Sequence, residues 1–148
     1  MTLALDTDAI VHWLMDGATH HQRLVHFVQL QLHAGARFAI VPQVLHEFVH
    51  VTTDSRRFEK PLTMSVATAL ARSLWEASEV DRVLPGNNTV PRTLELLDQF
   101  SLGRKRILDT ALAATLEQAG IKRLVTLNVR DYEIFPFLEL QSPLAEAS

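Results

Sequence analysis

Residues 46–50 read His-Glu-Phe-Val-His, two imidazoles at i and i+4 with a carboxylate between them. On a helix this spacing sets both rings on one face, the arrangement by which zinc peptidases hold their metal while the Glu acts as general base. The extended form of that pattern fails, because Thr53 and Arg56 stand where a Gly and a third His would be. Glu76 or Glu79 remains as a third ligand from a following helix. That chemistry has no use for two other acids, Asp6 and Asp109, which also interrupt apolar surroundings.

On a helix beginning at Pro42, the residues Val44, Glu47, Phe48 and Val51 share one stripe at i, i+3, i+4 and i+7. Glu47 therefore sits on the apolar side, with His46 and His50 on a more polar flank beside Thr53. Asp109 leads a second such stripe with Leu112, Ala113 and Leu116, in a helix that is apolar nearly all round. A first-turn acid favours the helix dipole, which is the plainer account of Asp109. Asp6 closes the first apolar run. With Asp8 or Thr7 to cap the next helix, Asp6 is left for a site. The turn Asn128-Val129-Arg130-Asp131-Tyr132 follows another apolar run and adds a further acid, Asp131. Carboxylates crowd together only where a cation neutralises them, and oxygen ligands favour Mg²⁺ or Mn²⁺ over zinc.

The elements that must position these acids alternate. Strands are predicted at 3–6, 38–41, 80–84, 123–127 and 138–140. Helices are predicted at 8–16, 19–34, from Pro42 onward, 63–77, 89–100 and 106–120, with a polar loop at 54–61. Pro42 suits a first helical turn and Gly35 a helix stop. Alternating strands and helices imply crossover connections and a central, mostly parallel sheet of four to five strands flanked by helices. In such sheets ligands bind beyond the carboxyl ends of the strands, where Asp6 and the 128–131 turn lie.

The ordered segments LALDTDAIV, VPQVLHEFVHV, RILDTALAATL and LVTLNVRDYEIF resemble the motifs of PIN-domain ribonucleases, above all the VapC-type toxins of bacterial toxin–antitoxin pairs. The likeness runs over about residues 3–140, so the chain is expected to be a single PIN domain spanning 1–148. The resemblance implies a PIN-like α/β fold and a Mg²⁺- or Mn²⁺-dependent endoribonuclease. Asp6, Glu47 and Asp109 occupy the positions of the family's three acids, as catalytic and metal-binding residues. A fourth acid often lies two residues after the threonine of the last motif. Here that threonine is Thr126 and the position is Asn128, with Asp131 as a substitute three residues on. An Asn brings an oxygen but no charge, which weakens a second cation site. The resemblance also implies a homodimer and a small cognate antitoxin that blocks the acidic site. A catalytically weak PIN-like module that only binds RNA or a partner is the alternative that Asn128 favours.

Composition bounds the rest. The 148 residues carry a net charge of −3 and no cysteine, which excludes disulfides and thiolate metal sites. The net charge argues against bulk attraction to nucleic acid, so RNA contact falls to local basic groups. Arg104, Lys105 and Arg106 precede the Asp109 helix, and Arg130 lies in the last motif. Arg56, Arg57 and Lys60 lie in the polar loop. No apolar stretch approaches the roughly 20 residues that a membrane helix needs, and no leader pattern opens the chain. The expected address is the cytoplasm. Histidines 20 and 21 read as a solvated helix start, and Trp13 and Trp75 as core or interface anchors.

Overall fold

In a computed structural model, described over residues 1–145, the chain forms a five-stranded sheet in the order β3-β2-β1-β4-β5. The strands are β1 Thr2–Leu5, β2 Arg37–Ile40, β3 Val80–Arg82, β4 Arg123–Val125 and β5 Glu139–Gln141, and every pairing is parallel. β1 is central, with Ala4 opposite both Ala39 and Leu124. Its Leu3, Ala4 and Leu5 are all buried, as are Phe38, Ala39, Ile40, Leu124 and Val125. Unbroken apolar runs of this kind belong to strands covered on both faces.

Six α-helices supply the cover: α1 Thr7–Leu14, α2 His21–His33, α3 Pro42–Thr52, α4 Met64–Glu76, α5 Thr89–Gln99 and α6 Ile107–Gln118. The steps from β1 to β2 to β3 run one way across the sheet, and the step from β3 to β4 runs back past β1. With right-handed crossovers, α1–α4 lie on one face and α5–α6 on the other. The packing agrees: α1 lies against α2 and α3, α3 against α4, and α5 against α6. The direction of winding reverses between β1 and β4, which opens a crevice at their carboxyl ends.

The predicted elements are all present, with shifted ends. α1 begins at Thr7 rather than residue 8, since Asp6, and neither Thr7 nor Asp8, is its cap. α2 starts at His21, and Gly35 ends the segment with a φ of 84° that a residue with a side chain rarely adopts. The 80–84 strand closes at Arg82, and the 123–127 strand at Val125. Beyond β4, the Thr126 amide still bonds the Gln141 carbonyl at 3.1 Å before its side chain turns into the crevice. A 3₁₀ turn, Arg104–Arg106, precedes α6 and takes up residue 106.

His20 and His21 are not a solvated start. The His20 amide donates to His12 Nδ1 at 3.1 Å, the His12 and His20 rings stack at 5.3 Å, and His21 Nδ1 lies 3.0 Å from the His12 carbonyl oxygen. Trp13 packs beside Phe38, and Trp75 lies under the Arg82 guanidinium at 5.2 Å. No helix among the described residues is long and apolar enough to cross a membrane.

Candidate active site

β1 passes directly into α1 through Asp6. The Asp6 backbone is extended, and its Oδ1 accepts a 2.9 Å hydrogen bond from the Ala9 amide, so Asp6 itself caps α1. Reserving Asp6 for the site and giving the cap to Asp8 or Thr7 is corrected here: one carboxylate oxygen makes the cap and the other faces the crevice. That second oxygen, Oδ2, accepts a 2.6 Å bond from the Thr126 hydroxyl, brought in by the adjacent strand β4. Asp6 is only 4% exposed. Burial is the main force on its pKa and raises it to about 7; the bonds from Thr126 and Ala9 pull it down, and Asp8 and Asp109 push it up.

Asp109 enters from the first turn of α6, half-buried. Its Oδ1 accepts a 3.0 Å bond from the Tyr132 hydroxyl, and its Oδ2 lies 4.0 Å from Arg106 Nε. Burial raises its pKa, the Tyr132 bond lowers it, Asp131 raises it, Arg106 lowers it and Glu47 raises it. Tyr132 is 3% exposed, and burial first, then Asp6 and Asp109, drive its hydroxyl pKa far up. It is a neutral donor at any ordinary pH. Arg106 donates through Nη2 to the Asp131 carbonyl, which ties the last motif to the start of α6.

Glu47 faces the same space from α3, with Oε1 accepting 3.0 Å from Gln43 Nε2; Gln43 also donates to the Leu108 carbonyl at 2.9 Å, joining α3 to α6. Asn128 Nδ2 donates 2.7 Å to Asp8 Oδ2. Asp6, Asp8, Glu47, Asp109, Asn128 and Asp131 all line one polar cavity of about 240 Å³, together with Gln43, Arg57 and Tyr132. The five residues expected to be catalytic thus line one cavity. Sequence reasoning gave no role to Tyr132 or Gln43, gave Asp8 only a cap, and read Arg57 as one of the basic groups of the polar loop. Gln43, in the first turn of α3 and four positions before Glu47, was the one legible signal.

The histidines do not join them. His46 and His50 are exposed, and His46 lines a separate groove of about 570 Å³ with Trp75 and Glu76, while Glu47 faces the acidic cavity. Glu47, the general base of that pattern, therefore faces a different surface from the two exposed rings that would hold a zinc ion. Of the basic residues, Arg104, Lys105 and Arg130 are exposed and do not line the cavity. Arg106 is turned inward onto Asp131 and Asp109. Arg57, from the polar loop, lines the cavity while lying 3.8 Å from Asp54.

Among the described residues, no three His, Asp or Glu side chains stand close enough, as placed, to hold one ion together. Four of the five acids are instead held by neutral donors: Asp6 by Thr126, Asp109 by Tyr132, Glu47 by Gln43 and Asp8 by Asn128. The donor set nevertheless suits a hard divalent cation that keeps part of its water, as Mg²⁺ does with one or two carboxylates. Asp6 carries the fit. It is buried, forms no ion pair among the described residues, and burial raises its pKa to about 7; a cation would supply the charge that burial withholds.

No family model matches the sequence, and no curated protein matches it. Solved structures do. The chain is similar to the VapBC2 complex of Rickettsia felis bound to a DNA fragment from its promoter, at 19% identity over 96% of this chain and 98% of that one, with a TM-score of 0.66. It is similar to VapBC-1 of nontypeable Haemophilus influenzae, at 16% identity over 98% and 100%, with a TM-score of 0.67. It is also similar to Mycobacterium tuberculosis VapC20, a toxin that cleaves the sarcin–ricin loop, at 16% identity over 82% and 86%, with a TM-score of 0.62. An all-parallel sheet with the strand order and helical cover described above, matched over nearly its whole length, gives this chain the PIN-like fold of the VapC-type toxins.

Proposed function

We propose that the protein is a metal-dependent endoribonuclease, the toxin of a toxin–antitoxin pair. The observation that carries this is the meeting of Asp6, Glu47 and Asp109, from three distant segments, in one polar cavity at the switch point of the sheet. The sarcin–ricin-loop cleavage named for VapC20 adds support for RNA as the substrate. Asp6 and Asp109 would hold Mg²⁺ or Mn²⁺ through their carboxylates, with Glu47 as the third ligand, directly or through water. Bound there, a divalent ion supplies an acidified water and neutralises charge on the phosphate.

The chain's own groups do the remaining work. Thr126 and the Ala9 amide fix the rotamer of Asp6, and Tyr132 fixes that of Asp109. Gln43 leaves Glu47 Oε2 free to orient the attacking water. Arg57 at the rim, with Arg104, Lys105 and Arg130 outside it, is available to RNA phosphates, and such contacts position rather than specify. Hydrolysis would leave a 3′-hydroxyl and a 5′-phosphate. Asn128, fastened to Asp8, makes one ion the expected occupancy.

The partners follow from the same reading: a cognate antitoxin, in keeping with the VapBC complexes of like fold, and a second copy of the chain, in the cytoplasm. Val90 and Leu94 on α5, 66% and 59% exposed, are apolar surface that a homodimer would cover. A second reading, a weakly catalytic RNA- or partner-binding module, draws on the acids standing too far apart, as placed, to share one ion.

The deciding experiment offers structured RNAs to the protein with Mn²⁺, with EDTA, and as the Asp109→Asn variant. Cleavage with Mn²⁺ that both EDTA and Asp109→Asn remove, while the circular dichroism melt is retained, is the expected result. Cleavage by Asp109→Asn at the wild-type rate would overturn the assignment.

A further inference from the structure

We propose that Tyr132 is a positioning residue whose hydroxyl holds the Asp109 carboxylate towards the acidic cavity against the pull of Arg106. The inference rests on the metal-dependent reading above and adds a residue that neither the acid pattern nor the fold supplies.

Two groups compete for Asp109. The Tyr132 hydroxyl donates to Oδ1 at 3.0 Å, and Arg106 Nε stands 4.0 Å from Oδ2. Tyr132 lines the cavity with Asp6 and Glu47, whereas Arg106 does not, so the two approach the carboxylate from different sides. Arg106 Nε is buried and has no hydrogen-bond partner among the described residues, while Nη2 of the same guanidinium is spent on the Asp131 carbonyl. A buried, unpaired cationic N–H draws the nearest carboxylate strongly. A small rotation of Asp109 would satisfy it and turn that carboxylate away from the cavity.

What opposes the rotation is a donor that cannot follow. Tyr132 is 3% exposed, its ring packs on Phe135 at 6.5 Å, and its amide bonds the Val129 carbonyl at 3.0 Å at the end of the 3₁₀ turn Val129–Asp131. A phenol fixed by its ring places its oxygen and donates close to the ring plane, which restricts where Oδ1 can point. Groups of this kind, bonded to a ligand rather than to the metal, commonly control metal affinity about 10–100-fold.

The test measures Mn²⁺ binding by calorimetry and by the loss of the free-ion electron paramagnetic resonance signal, on full-length wild type, Tyr132→Phe, Arg106→Gln and the double variant. Wild type binds. Tyr132→Phe binds about tenfold or more weakly, and its RNA cleavage recovers when Mn²⁺ is raised, which damage to the fold alone would not allow. Arg106→Gln binds at least as tightly as wild type, and the double variant resembles it rather than Tyr132→Phe. Equal binding by wild type and Tyr132→Phe, or weaker binding by Arg106→Gln, overturns the inference while leaving the metal reading intact. Failure of wild type to bind Mn²⁺ overturns the metal reading and the inference with it. Should Tyr132→Phe not fold, the Arg106→Gln arm decides, since it leaves the tyrosine untouched.

Discussion

The Thr126 hydroxyl donates a 2.6 Å hydrogen bond to Asp6 Oδ2, linking two residues 120 positions apart that leave adjacent parallel strands at the same end. Both are buried, Thr126 completely. The hydroxyl in turn accepts a 3.0 Å bond from the Asn128 amide, so one side chain orients the acid and shapes the turn that follows β4. Thr126→Val keeps the shape and removes both bonds. It is expected to cost about 1–3 kcal/mol of stability, because a buried carboxyl and a backbone amide lose their partner. Thr126→Ser should retain most of that stability. Urea unfolding of the three proteins measures it, and a valine variant as stable as wild type would show that the bond is idle.

The pKa of Asp6, raised by burial to about 7, gives the metal-free protein a definite pH dependence. Below about pH 4 the group is protonated in both the folded and the unfolded chain, and no penalty exists. From there to about 7 the unfolded chain loses the proton while the folded one keeps it. Folding then takes up a proton, and stability falls by up to about 1.4 kcal/mol per pH unit from this group. Asp109, also raised by burial, acts with the same sign. His12, lowered by burial, acts with the opposite sign at the upper end of the window. The comparison with Asp6→Asn therefore isolates the effect. In EDTA, the asparagine variant should show a flatter profile and exceed wild type in stability above neutrality. Denaturant midpoints across the window read it directly, and parallel profiles for the two proteins would contradict the burial argument.

His46 and His50 are exposed, and neither lines the cavity that Glu47 faces. Replacing both with Gln alters two surface positions of α3, where substitutions usually change stability by about 0.5 kcal/mol or less. RNA cleavage should stay within about twofold of wild type, a difference too small to signal a lost transition-state contact. Zinc should confer no peptidase activity on the wild type. A large loss of cleavage in the double variant would return these rings to the chemistry.

Much of this arrangement is readable along the chain, and the unreadable parts have a common cause. The stripe through Val44, Glu47, Phe48 and Val51 marks Glu47 as an acid on an apolar side, and helical periodicity alone carries that information. Asp109 is legible for the same reason, as is the crevice, because alternating strands and helices dictate a parallel sheet with a switch point. The hydrogen bonds of Tyr132, Gln43 and Thr126 are not legible, since each crosses between segments that are brought together only by folding. The cap was misassigned because local sequence offers three oxygen-bearing candidates in a row, Asp6, Thr7 and Asp8. Only the length of β1 decides among them.

Asn128 sits where the resemblance would place an acid, and its amide donates 2.7 Å to Asp8 Oδ2. Asn128→Asp exchanges that attraction for two carboxylates at hydrogen-bond distance, beside Asp6, whose own pKa Asp8 already raises. In EDTA the variant should therefore be less stable than wild type, by about 1–3 kcal/mol if the pair cannot separate. It also adds a negative oxygen at the rim of the cavity, so added Mn²⁺ should raise its melting temperature by more than it raises that of wild type. The two effects have opposite signs in the same protein, which a general loss of packing could not produce. Thermal melts with and without Mn²⁺ read both at once. A variant destabilised equally in the two conditions would mean that residue 128 faces Asp8 without facing the proposed cation site, leaving Asp6, Glu47 and Asp109 as the only proposed ligands.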